Sequence, residues 1–388
     1  MSALFRSRPV VRVALGLALL GVGRGRAAFA AEPPRCEETC TPTTACGTPC
    51  VARTAWATCG THGLTCTEEA KKRTLLFSFR MLTLNTWLLS TPLGIGAAPD
   101  RSCRARQIGD RLAGRFYDVV VLQEGFDRKA VEALIARAGY PYNYSRYPRP
   151  RGLEMSGGLA VLSLFPVSFQ HNEPWDDACG PDAFAQKGFF HARLRHPSMD
   201  APLDVVTVHL NANYGDPFGF RAVRRNQAGQ LADELARYPS STVLVAGDFN
   251  VIGPPALPGD SGDNAEYEGM LKAVLPPTLR DAWVEAGPSG PGFTSDDCTN
   301  SYGGDCREDS AHRRRIDMVW YDDQRNCYEL ELVDVFVDEF REAPGQGCPR
   351  DHLSDHFGVG TVFNVWRKAA SDWPACLPPD PDQPDDVR

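Results

Sequence analysis

The apolar stretch near the start of the sequence lacks the roughly 20 residues that a membrane-spanning helix needs. It covers residues 13–22, follows three arginines between residues 6 and 12, and precedes Ala28-Phe29-Ala30. A basic start, a short apolar core and a small-x-small site are typical of a secretory signal peptide. We therefore predict a signal peptide over residues 1–30. No cysteine directly follows the apolar segment, which argues against a lipid anchor, and we expect a secreted, extracellular protein.

The chain also lacks an excess of positive charge. It has 41 Lys and Arg against 49 Asp and Glu, for a formal net charge of −8. Residues 1–30 contain five arginines and no acid, so their removal takes the charge to −13. Affinity for nucleic acid comes largely from Lys and Arg that neutralise phosphates. We therefore expect no nucleic-acid partner, although a local basic patch would weaken this exclusion.

Cysteine is abundant, but the spacing expected of a zinc site is absent. Six of the 13 cysteines lie between residues 36 and 66, among Thr, Pro, Gly and Ala, without a Cys-x-x-Cys pair. Such a segment cannot bury a core, and cysteines in an exported chain favour disulfides over metal. We predict a disulfide-bonded segment over residues 31–70. The other seven are Cys103, Cys179, Cys298, Cys306, Cys327, Cys348 and Cys376; because seven is odd, one thiol is free or pairs outside this domain, and the sequence does not give the connectivity.

Polar side chains stand at the ends of several apolar runs. Gln123-Glu124 follow residues 119–122, His209 follows residues 205–208, and Gly247-Asp248-Phe249-Asn250 follow residues 243–246. Ser354-Asp355-His356 form a fourth signature. Short apolar runs of this kind predict strands buried on both faces, and a polar group just beyond such a strand is held on a rigid scaffold. One strand-end acid would be an ordinary solvated residue, but four signatures together predict a catalytic site.

Helical periodicity alternates with these strands. Residues 105–116 place Ile108, Leu112 and Phe116 on one face, and residues 129–139 and 221–238 also have helical patterns. Strands and amphipathic helices that interleave in this way fit two packed sheets with helices outside. We predict an α+β fold with one catalytic domain over residues 75–367, followed by an acidic, Pro-rich, disordered tail over residues 368–388.

Several motifs resemble the endonuclease/exonuclease/phosphatase superfamily in their order. They are Leu82-Thr83-Leu84-Asn85-Thr86-Trp87, Gln123-Glu124, Gly247-Asp248-Phe249-Asn250, Arg315-Ile316-Asp317-Met318-Val319 and Ser354-Asp355-His356. Three further stretches resemble its sphingomyelinase C (neutral sphingomyelinase-like) branch: Ser156-Gly157-Gly158-Leu159 with its continuation, Gln186-Lys187-Gly188-Phe189, and Val208-His209-Leu210-Asn211-Ala212-Asn213-Tyr214. The resemblance covers roughly residues 75–367. It implies a four-layer α/β/β/α sandwich, the DNase I-like fold, with two mostly antiparallel sheets.

The resemblance also implies roles for individual residues. His356 would be the general base, and Asp355 would orient it or reach a metal-bound water. Asp248 and Asn250 would orient the nucleophile, protonate the leaving group or bind a phosphoryl oxygen, and the division of acid and base duties between Asp248 and His356 stays open. His209 would donate a hydrogen bond to a phosphoryl oxygen. Glu124, Asn85 and Asp355 would bind one or two Mg²⁺ ions, for which Mn²⁺ or Co²⁺ could substitute; hard oxygen ligands suit Mg²⁺.

The remaining assignments concern substrate contacts and support. Lys187, Asn211 and Tyr214 would bind substrate, and Asp317 would orient a catalytic histidine or serve as a structural ion-pair partner. The aromatic side chains of Tyr140, Tyr142, Tyr144, Tyr147, Trp175 and Phe184 could hold a quaternary ammonium group, but alternating tyrosines are more often ordinary strand residues. Residues 305–315 are polar, which predicts weak membrane docking, and the run Arg313-Arg314-Arg315 is interpreted as a solvated rim.

Together these features predict a monomeric, secreted, Mg²⁺-dependent phosphodiesterase. It would hydrolyse sphingomyelin, or a related phospholipid at a membrane surface, to ceramide and phosphocholine through a water activated by His356. One alternative is a secreted nuclease or other phosphodiesterase or phosphatase of the same superfamily, because a fold does not determine a substrate. Another is a non-catalytic binding protein on the same fold, which the intact set of site residues disfavours.

Overall fold

The structure is a computed structural model that describes residues 73–91, 97–114, 116–145, 155–213, 220–254, 266–288, 290–309, 312–323, 326–341 and 347–368. The predicted signal peptide and cysteine-rich segment lie outside these residues, and so does the predicted tail beyond Lys368. Their assignments stay predictions.

The chain forms fourteen strands within the described residues. They are β1 (Arg73–Asn85), β2 (Val119–Gln123), β3 (Tyr142–Tyr144), β4 (Ala160–Ser163), β5 (Val167–Pro174), β6 (Gly188–Leu194), β7 (Leu203–His209), β8 (Thr242–Asp248), β9 (Arg280–Asp281), β10 (Ser295–Asp296), β11 (Arg313–Arg314), β12 (Asp317–Asp322), β13 (Tyr328–Asp338) and β14 (Gly358–Lys368). The helices are α1 (Arg101–Gly114), α2 (Arg128–Ala138), α3 (Phe220–Ala236), α4 (Lys272–Val274) and α5 (Ala282–Ala286), with a 3-10 turn at Gly180–Phe184 and a π-helical turn at Tyr267–Leu271.

Two six-stranded sheets form the centre of the described region. Their strand orders are β13-β14-β1-β2-β4-β3 and β5-β6-β7-β8-β12-β9, and β10 and β11 form a separate ribbon. Most neighbours are antiparallel, whereas β1 with β2 and β7 with β8 are parallel. This is the predicted α+β, DNase I-like sandwich.

The central strands are apolar on both faces because each sheet is covered twice. In β2, Val119 and Val121 face the core between the sheets, whereas Val120 and Leu122 contact the core shared with α1 and α2. In β8, Leu244 and Ala246 face the inter-sheet core, while the alternate residues pack in the core that contains residues of α3. Side chains alternate between the faces of a strand, so continuous apolar runs are the expected pattern for these positions.

The strand registers bring polar strand ends to one edge of the sandwich. Asn85 pairs with Gln123 at the ends of β1 and β2, and His209 pairs with Asp248 at the ends of β7 and β8. Antiparallel β12 begins at Asp317, opposite Asp248. The fold therefore gathers residues that are more than 200 positions apart in the chain.

Some local predictions were wrong. Helix α1 covers residues 101–114 rather than 105–116, so Phe116 lies beyond its end and is 80% exposed instead of buried. Strand β5 was not predicted, because its sequence has little apolar alternation. The end of α2 was predicted correctly: Gly139 adopts a left-handed conformation with φ 71° and closes the helix with a bond from its N–H to the Ile135 carbonyl.

Two disulfides cross-link described residues. Cys103 of α1 pairs with Cys348, 245 positions later, and Cys298 pairs with Cys306. The first joins the helix that follows β1 to the segment before Ser354-Asp355-His356. These bonds agree with the prediction that the cysteines form disulfides.

Candidate active site

Three predicted site residues meet through one amide. Asn85 Nδ2 donates to Glu124 Oε1 at 3.0 Å and to Asp248 Oδ2 at 3.1 Å. Its Oδ1 accepts the backbone N–H of Trp87 at 3.0 Å. In this arrangement the amide nitrogen, rather than the oxygen, of Asn85 faces the two carboxylates.

The backbone around these residues is strained. Trp87, Glu124 and Asn250 have φ values of 46°, 55° and 50°, a region that costs a non-glycine residue about 1–3 kcal/mol. Asn250 is held by two bonds, from its N–H to Asp248 Oδ1 and from its side-chain Nδ2 to the Leu210 carbonyl. At Gly247 a Cβ atom would lie 2.0 Å from the Val208 carbonyl oxygen, so the approach of β7 to β8 beside the site requires glycine.

His209 is fully buried, and neither of its ring nitrogens has a hydrogen-bond partner among the described residues. Its Nε2 lies 3.4 Å from Asp248 Oδ2 and 3.9 Å from Glu124 Oε1. Burial, together with the positive charges of Lys187 and His356, lowers the pKa of His209 well below its ordinary value. A neutral imidazole with unpaired ring nitrogens can bind a cation or donate to a substrate oxygen.

His356 has a buried acidic partner, which is Asp317. Its Nδ1 lies 2.8 Å from Asp317 Oδ2, and Asp317 is fully buried. Burial alone would lower the pKa of His356, but the Asp317 carboxylate outweighs it and raises this pKa well above the ordinary value. Asp317, rather than Asp355, therefore makes the contact that orients the ring; Asp355 Oδ1 instead accepts a long 3.4 Å bond from Ser354 Oγ.

Lys187 forms a buried ion pair. Its Nζ donates to Asp182 Oδ2 at 2.8 Å, and the same oxygen accepts the backbone N–H of Ala212 at 2.7 Å. Both charged side chains are buried. Lys187 is therefore a buried, ion-paired residue and not the solvent-exposed lysine that its sequence context alone would suggest.

A cavity of about 510 Å³ opens over these residues. Its polar lining includes Glu124, Lys187, His209, Asp248, Asn250, Arg314 and His356. Its apolar lining includes Leu89, Phe126, Met155, Pro181, Phe184 and Ile316. Phe184 is 61% exposed, so an accessible aromatic ring and several charged groups line the same cavity. A lining of both kinds can accommodate a molecule that has a charged part and an apolar part.

The donor set of the cavity fits a divalent cation. Glu124, His209 and Asp248 present ligand atoms within 4.8 Å of one another, and so do Asp248, Asp317 and His356. The ring nitrogens of His209 and Oδ1 of Asp317 are buried and find no hydrogen-bond partner in the part of the chain that the structure describes, and an ion can satisfy polar atoms of this kind. Asp355 belongs to neither group of described residues.

The site carboxylates repel one another when no cation lies between them. Burial, and then the neighbouring Asp317, raises the pKa of Asp248 to about 6. Burial, with Glu124 as the nearby acid, also raises the pKa of Asp355 to about 6, and burial raises the pKa of Glu124. A cation among these groups would favour their charged forms.

Other predicted residues lie elsewhere. Asn211 is fully buried and uses its side chain locally, accepting from the Cys179 N–H and donating to the Ala212 carbonyl, so it supports the loop rather than lining the cavity. Tyr214 and Tyr147 lie outside the described residues. Trp175 is buried, with Nε1 donating to the His209 carbonyl, and Phe184 is the one predicted aromatic residue, among those described, that lines the cavity.

The interpretation of residues 313–315 as a solvated rim was wrong for Arg315. Arg315 is 2% exposed and pairs with Asp281 through two bonds of 2.8 and 3.3 Å, and Arg314 lines the cavity. Sequence reasoning also missed Asp182 and the buried Arg104. Arg104 stands four residues before Ile108 on the buried face of α1, and a charged residue in an apolar stripe is the signal that could have revealed it.

Comparison with known proteins gives the family. The profile of the Endonuclease/Exonuclease/phosphatase family matches residues 82–356, which include every site residue described above. The chain belongs to this family. No helix within the described residues is both long and apolar enough to cross a membrane.

Individual proteins resemble this chain at 25–26% sequence identity. Sphingomyelinase C of Bacillus cereus is 26% identical over 217 residues, which are 51% of this chain and 63% of that protein. Inositol phosphosphingolipids phospholipase C of Schizosaccharomyces pombe is 25% identical over 320 residues, 74% of this chain and 68% of that protein. The crystal structure of sphingomyelinase C from Streptomyces griseocarneus superposes with a TM-score of 0.53 at 26% identity, over 74% of this chain and 99% of that one. The chain thus spans about 63% of the length of the Bacillus relative.

Proposed function

We propose that this protein is a secreted, divalent-cation-dependent phosphodiesterase that hydrolyses sphingomyelin to ceramide and phosphocholine. The observation that carries the proposal is the cavity itself: its lining brings Glu124, His209 and Asp248 together with His356, whose ring is paired with Asp317, and it also includes apolar side chains. The similarity to the two sphingolipid phospholipases supports the choice of substrate.

Glu124 would hold the cation, with His209, Asp248, Asp317 and His356 adjacent to it. Mg²⁺ is the ion we propose, because it takes carboxylate ligands and keeps several waters. When bound, it would neutralise charge on the phosphoryl oxygens as the transition state forms.

His356 would take a proton from the attacking water. Asp317 holds Nδ1 at 2.8 Å, which fixes the tautomer and leaves Nε2 as the nitrogen that exchanges a proton. The water oxygen forms a bond to phosphorus, and the bond from phosphorus to the ceramide oxygen breaks. The departing ceramide oxygen receives a proton, and the phosphocholine keeps the oxygen from water.

Asp248 is the group best placed to supply that proton. It is buried, and its side chain is fixed by the Asn85 amide and the Asn250 N–H. A carboxyl group held in this way can donate a proton to the leaving oxygen. Lys187 and His209 would contact phosphoryl oxygens as negative charge develops.

The apolar residues of the cavity lining would contact the part of the lipid next to the phosphate. Leu89, Phe126, Met155 and Phe184 line it, and their burial by acyl chains is favourable at roughly 25 cal/mol per Å². A nuclease substrate has no acyl chains to place against these residues, and the net charge of −8 also disfavours it.

A substrate panel tests the proposal. Purified protein would be assayed with Mg²⁺ or with EDTA on sphingomyelin, phosphatidylcholine, an inositol phosphosphingolipid and plasmid DNA, with His356→Ala as the matched low-activity control. We expect phosphocholine and ceramide by mass spectrometry from sphingomyelin in Mg²⁺ only. Faster release from the inositol lipid would replace the head-group assignment, and cleavage of DNA alone would replace the substrate class.

Secretion is a separate part of the proposal. It rests on the signal-peptide pattern over residues 1–30 and on disulfides such as Cys103–Cys348, which persist in oxidising compartments. Expression in an exporting host should yield protein in the culture medium, and sequencing of its N-terminus should show that it begins after Ala30. Retention of residues 1–30 on intracellular protein would contradict it.

A further inference from the structure

Arg104 is a buried cation that binds only backbone oxygens. It is 0% exposed. Its Nε donates to the Pro99 carbonyl at 3.0 Å, Nη1 donates to the carbonyls of Thr86 at 2.8 Å and Leu353 at 2.9 Å, and Nη2 donates to the Trp87 carbonyl at 2.5 Å. Among the residues that the structure describes, no carboxylate is paired with its guanidinium.

The carbonyls that Arg104 binds belong to two site loops. Thr86 and Trp87 directly follow Asn85, whereas Leu353 directly precedes Ser354-Asp355-His356. Nη1 thus bridges segments 267 positions apart in the sequence through one nitrogen atom. A second link runs beside it, from Ser354 Oγ to the Asn85 carbonyl at 2.7 Å.

The strained turn at Trp87 is held from both sides. With φ at 46°, its N–H donates to Asn85 Oδ1 and its carbonyl accepts from Arg104. The guanidinium also lies 5.1 Å from the centre of the Trp87 ring and 5.6 Å from that of Tyr302. Loss of Arg104 would release the carbonyl side of this turn, and with it the orientation of the Asn85 side chain.

Asp355, Asp100 and Glu124 attract the Arg104 guanidinium, but no carboxylate among the described residues bonds to it. Such a buried charge is costly, because an apolar side chain of similar length would avoid the desolvation cost. The planar fork of arginine, however, can donate in several fixed directions at once, which neither methionine nor lysine can do. Geometry, rather than packing alone, therefore accounts for arginine at this position.

We propose that Arg104 is a positioning residue that locks the Asn85 loop to the Asp355–His356 loop and thereby sets the geometry of the divalent-cation site. The inference rests on the proposed cation site, but it does not depend on which phosphodiester is hydrolysed. It predicts that Arg104 controls cation affinity from behind the ligands, without contact with the cation or the substrate.

Arg104→Met and Arg104→Lys test this role, with Arg106→Met as the matched control on the same helix, since Arg106 is exposed. Mn²⁺ binding to the lipid-free protein, measured by the loss of the free-ion electron paramagnetic resonance signal, is the first readout. Near-ultraviolet circular dichroism and thermal unfolding define the temperature at which each variant is folded. The second readout is kcat on sphingomyelin at saturating Mg²⁺.

We expect folded Arg104→Met to bind Mn²⁺ at least about tenfold more weakly, as is usual when a group that supports metal ligands is lost. Arg104→Lys should be intermediate, because it keeps the charge but loses the fork, and Arg106→Met should match the wild type. If Arg104→Met fails to fold, Arg104→Lys decides the question.

Wild-type Mn²⁺ affinity and kcat in a folded Arg104 variant would overturn the proposal and leave Arg104 a purely structural residue. A wild-type protein that binds no Mn²⁺ would overturn it as well. A wild-type protein that binds Mn²⁺ but does not cleave sphingomyelin would remove the substrate assignment, while the Mn²⁺ series would still decide the role of Arg104.

Discussion

Asp317 Oδ2 lies 2.8 Å from Nδ1 of His356, although the two residues are 39 positions apart. Asp317 is the first residue of β12 and is fixed opposite Asp248 by the sheet register. Its backbone N–H also donates to Thr294 Oγ1 at 3.1 Å, while the Thr294 carbonyl accepts the N–H of Phe357 at 2.7 Å. Thr294 therefore holds both partners of the pair, and the orientation of the imidazole depends on sheet register rather than on a flexible loop.

The first prediction concerns this pair. His356→Ala should lower kcat on sphingomyelin by at least about 100-fold, as expected for a lost general base. Asp317→Asn should cause a smaller loss of kcat, because the His356 imidazole is still present and loses only the carboxylate that orients it. If Asp317 acts only through His356, the double variant should be no slower than His356→Ala alone.

Asp322→Asn, at the far end of β12, is the matched control and should keep its kcat. Thermal unfolding should show each variant folded at the assay temperature. A double variant far slower than His356→Ala would give Asp317 an independent role, such as contact with the cation through its unpaired Oδ1.

Glu124→Gln should weaken cation binding and be partly restored by excess Mg²⁺. The change removes one negative charge from the group that Glu124 forms with His209 and Asp248, and the glutamine side chain keeps the size and shape of glutamate. The activation curve for Mg²⁺ should therefore move to higher concentration. Asp118→Asn changes a residue just before the other end of β2 and should leave the Mg²⁺ activation curve unchanged. If Glu124→Gln keeps a near-normal rate and the wild-type Mg²⁺ dependence, Glu124 is not a ligand of the cation.

The strand ends of the site could be predicted from sequence because the signal is local. The apolar runs before Glu124, His209 and Asp248 define where each strand stops, and the structure ends β7 and β8 at His209 and Asp248. The family resemblance then supplied the order of the motifs and the sandwich.

Features that depend on register or on distant packing were not predictable in the same way. The sequence left open whether Asp317 orients a histidine or serves as a structural ion-pair partner, and its pairing with His356 follows from the position of β12 in its sheet. The burial of Arg315 requires Asp281, which lies on a short strand beside β12. Polar residues in a sequence are ordinarily exposed, so the partners that bury Arg315 become visible only once the chain is folded.

Lys187→Met should affect both stability and catalysis, for different reasons. It leaves Asp182 buried without its partner, and removing one member of a buried pair typically costs about 3–5 kcal/mol. The double variant Asp182→Asn/Lys187→Met should recover much of that stability. If Lys187 also contacts substrate, the double variant should remain slow, with kcat/KM well below that of the wild type.

Chemical denaturation measures the first effect, and initial rates on sphingomyelin measure the second. Arg237→Met is the control for loss of an ion pair. It removes an exposed partner of Glu234 outside the cavity and should leave kcat/KM unchanged. Full recovery of activity in the stabilised double variant would make Lys187 a structural residue.

The last prediction is a pH dependence of stability that is separate from the catalytic site. His191 is 1% exposed and lies between two acids, with Nδ1 2.8 Å from Glu234 Oε1 and Nε2 3.5 Å from Asp204 Oδ2. Burial alone would lower the pKa of His191, but bonds to these acids outweigh it and raise the pKa. For Glu234, burial opposes its bonds to His171 and His191, which win and lower its pKa to about 2.

Because its folded-state pKa is raised, His191 contributes stability that is fully present below the unfolded value of about 6.5 and is lost as pH rises through the folded pKa. Glu234 has the opposite sign: its contribution is present above its unfolded value of 4.5 and is lost as pH falls toward about 2. The network should therefore stabilise the fold most between about pH 4.5 and 6.5. The free energy of unfolding of wild type minus that of His191→Gln, measured from pH 3 to 9 by urea denaturation, should be largest in this window and shrink above it. A difference that grows steadily with pH would mean that His191 is neutral in the folded protein and that Glu234 is held by His171 and Arg237 instead.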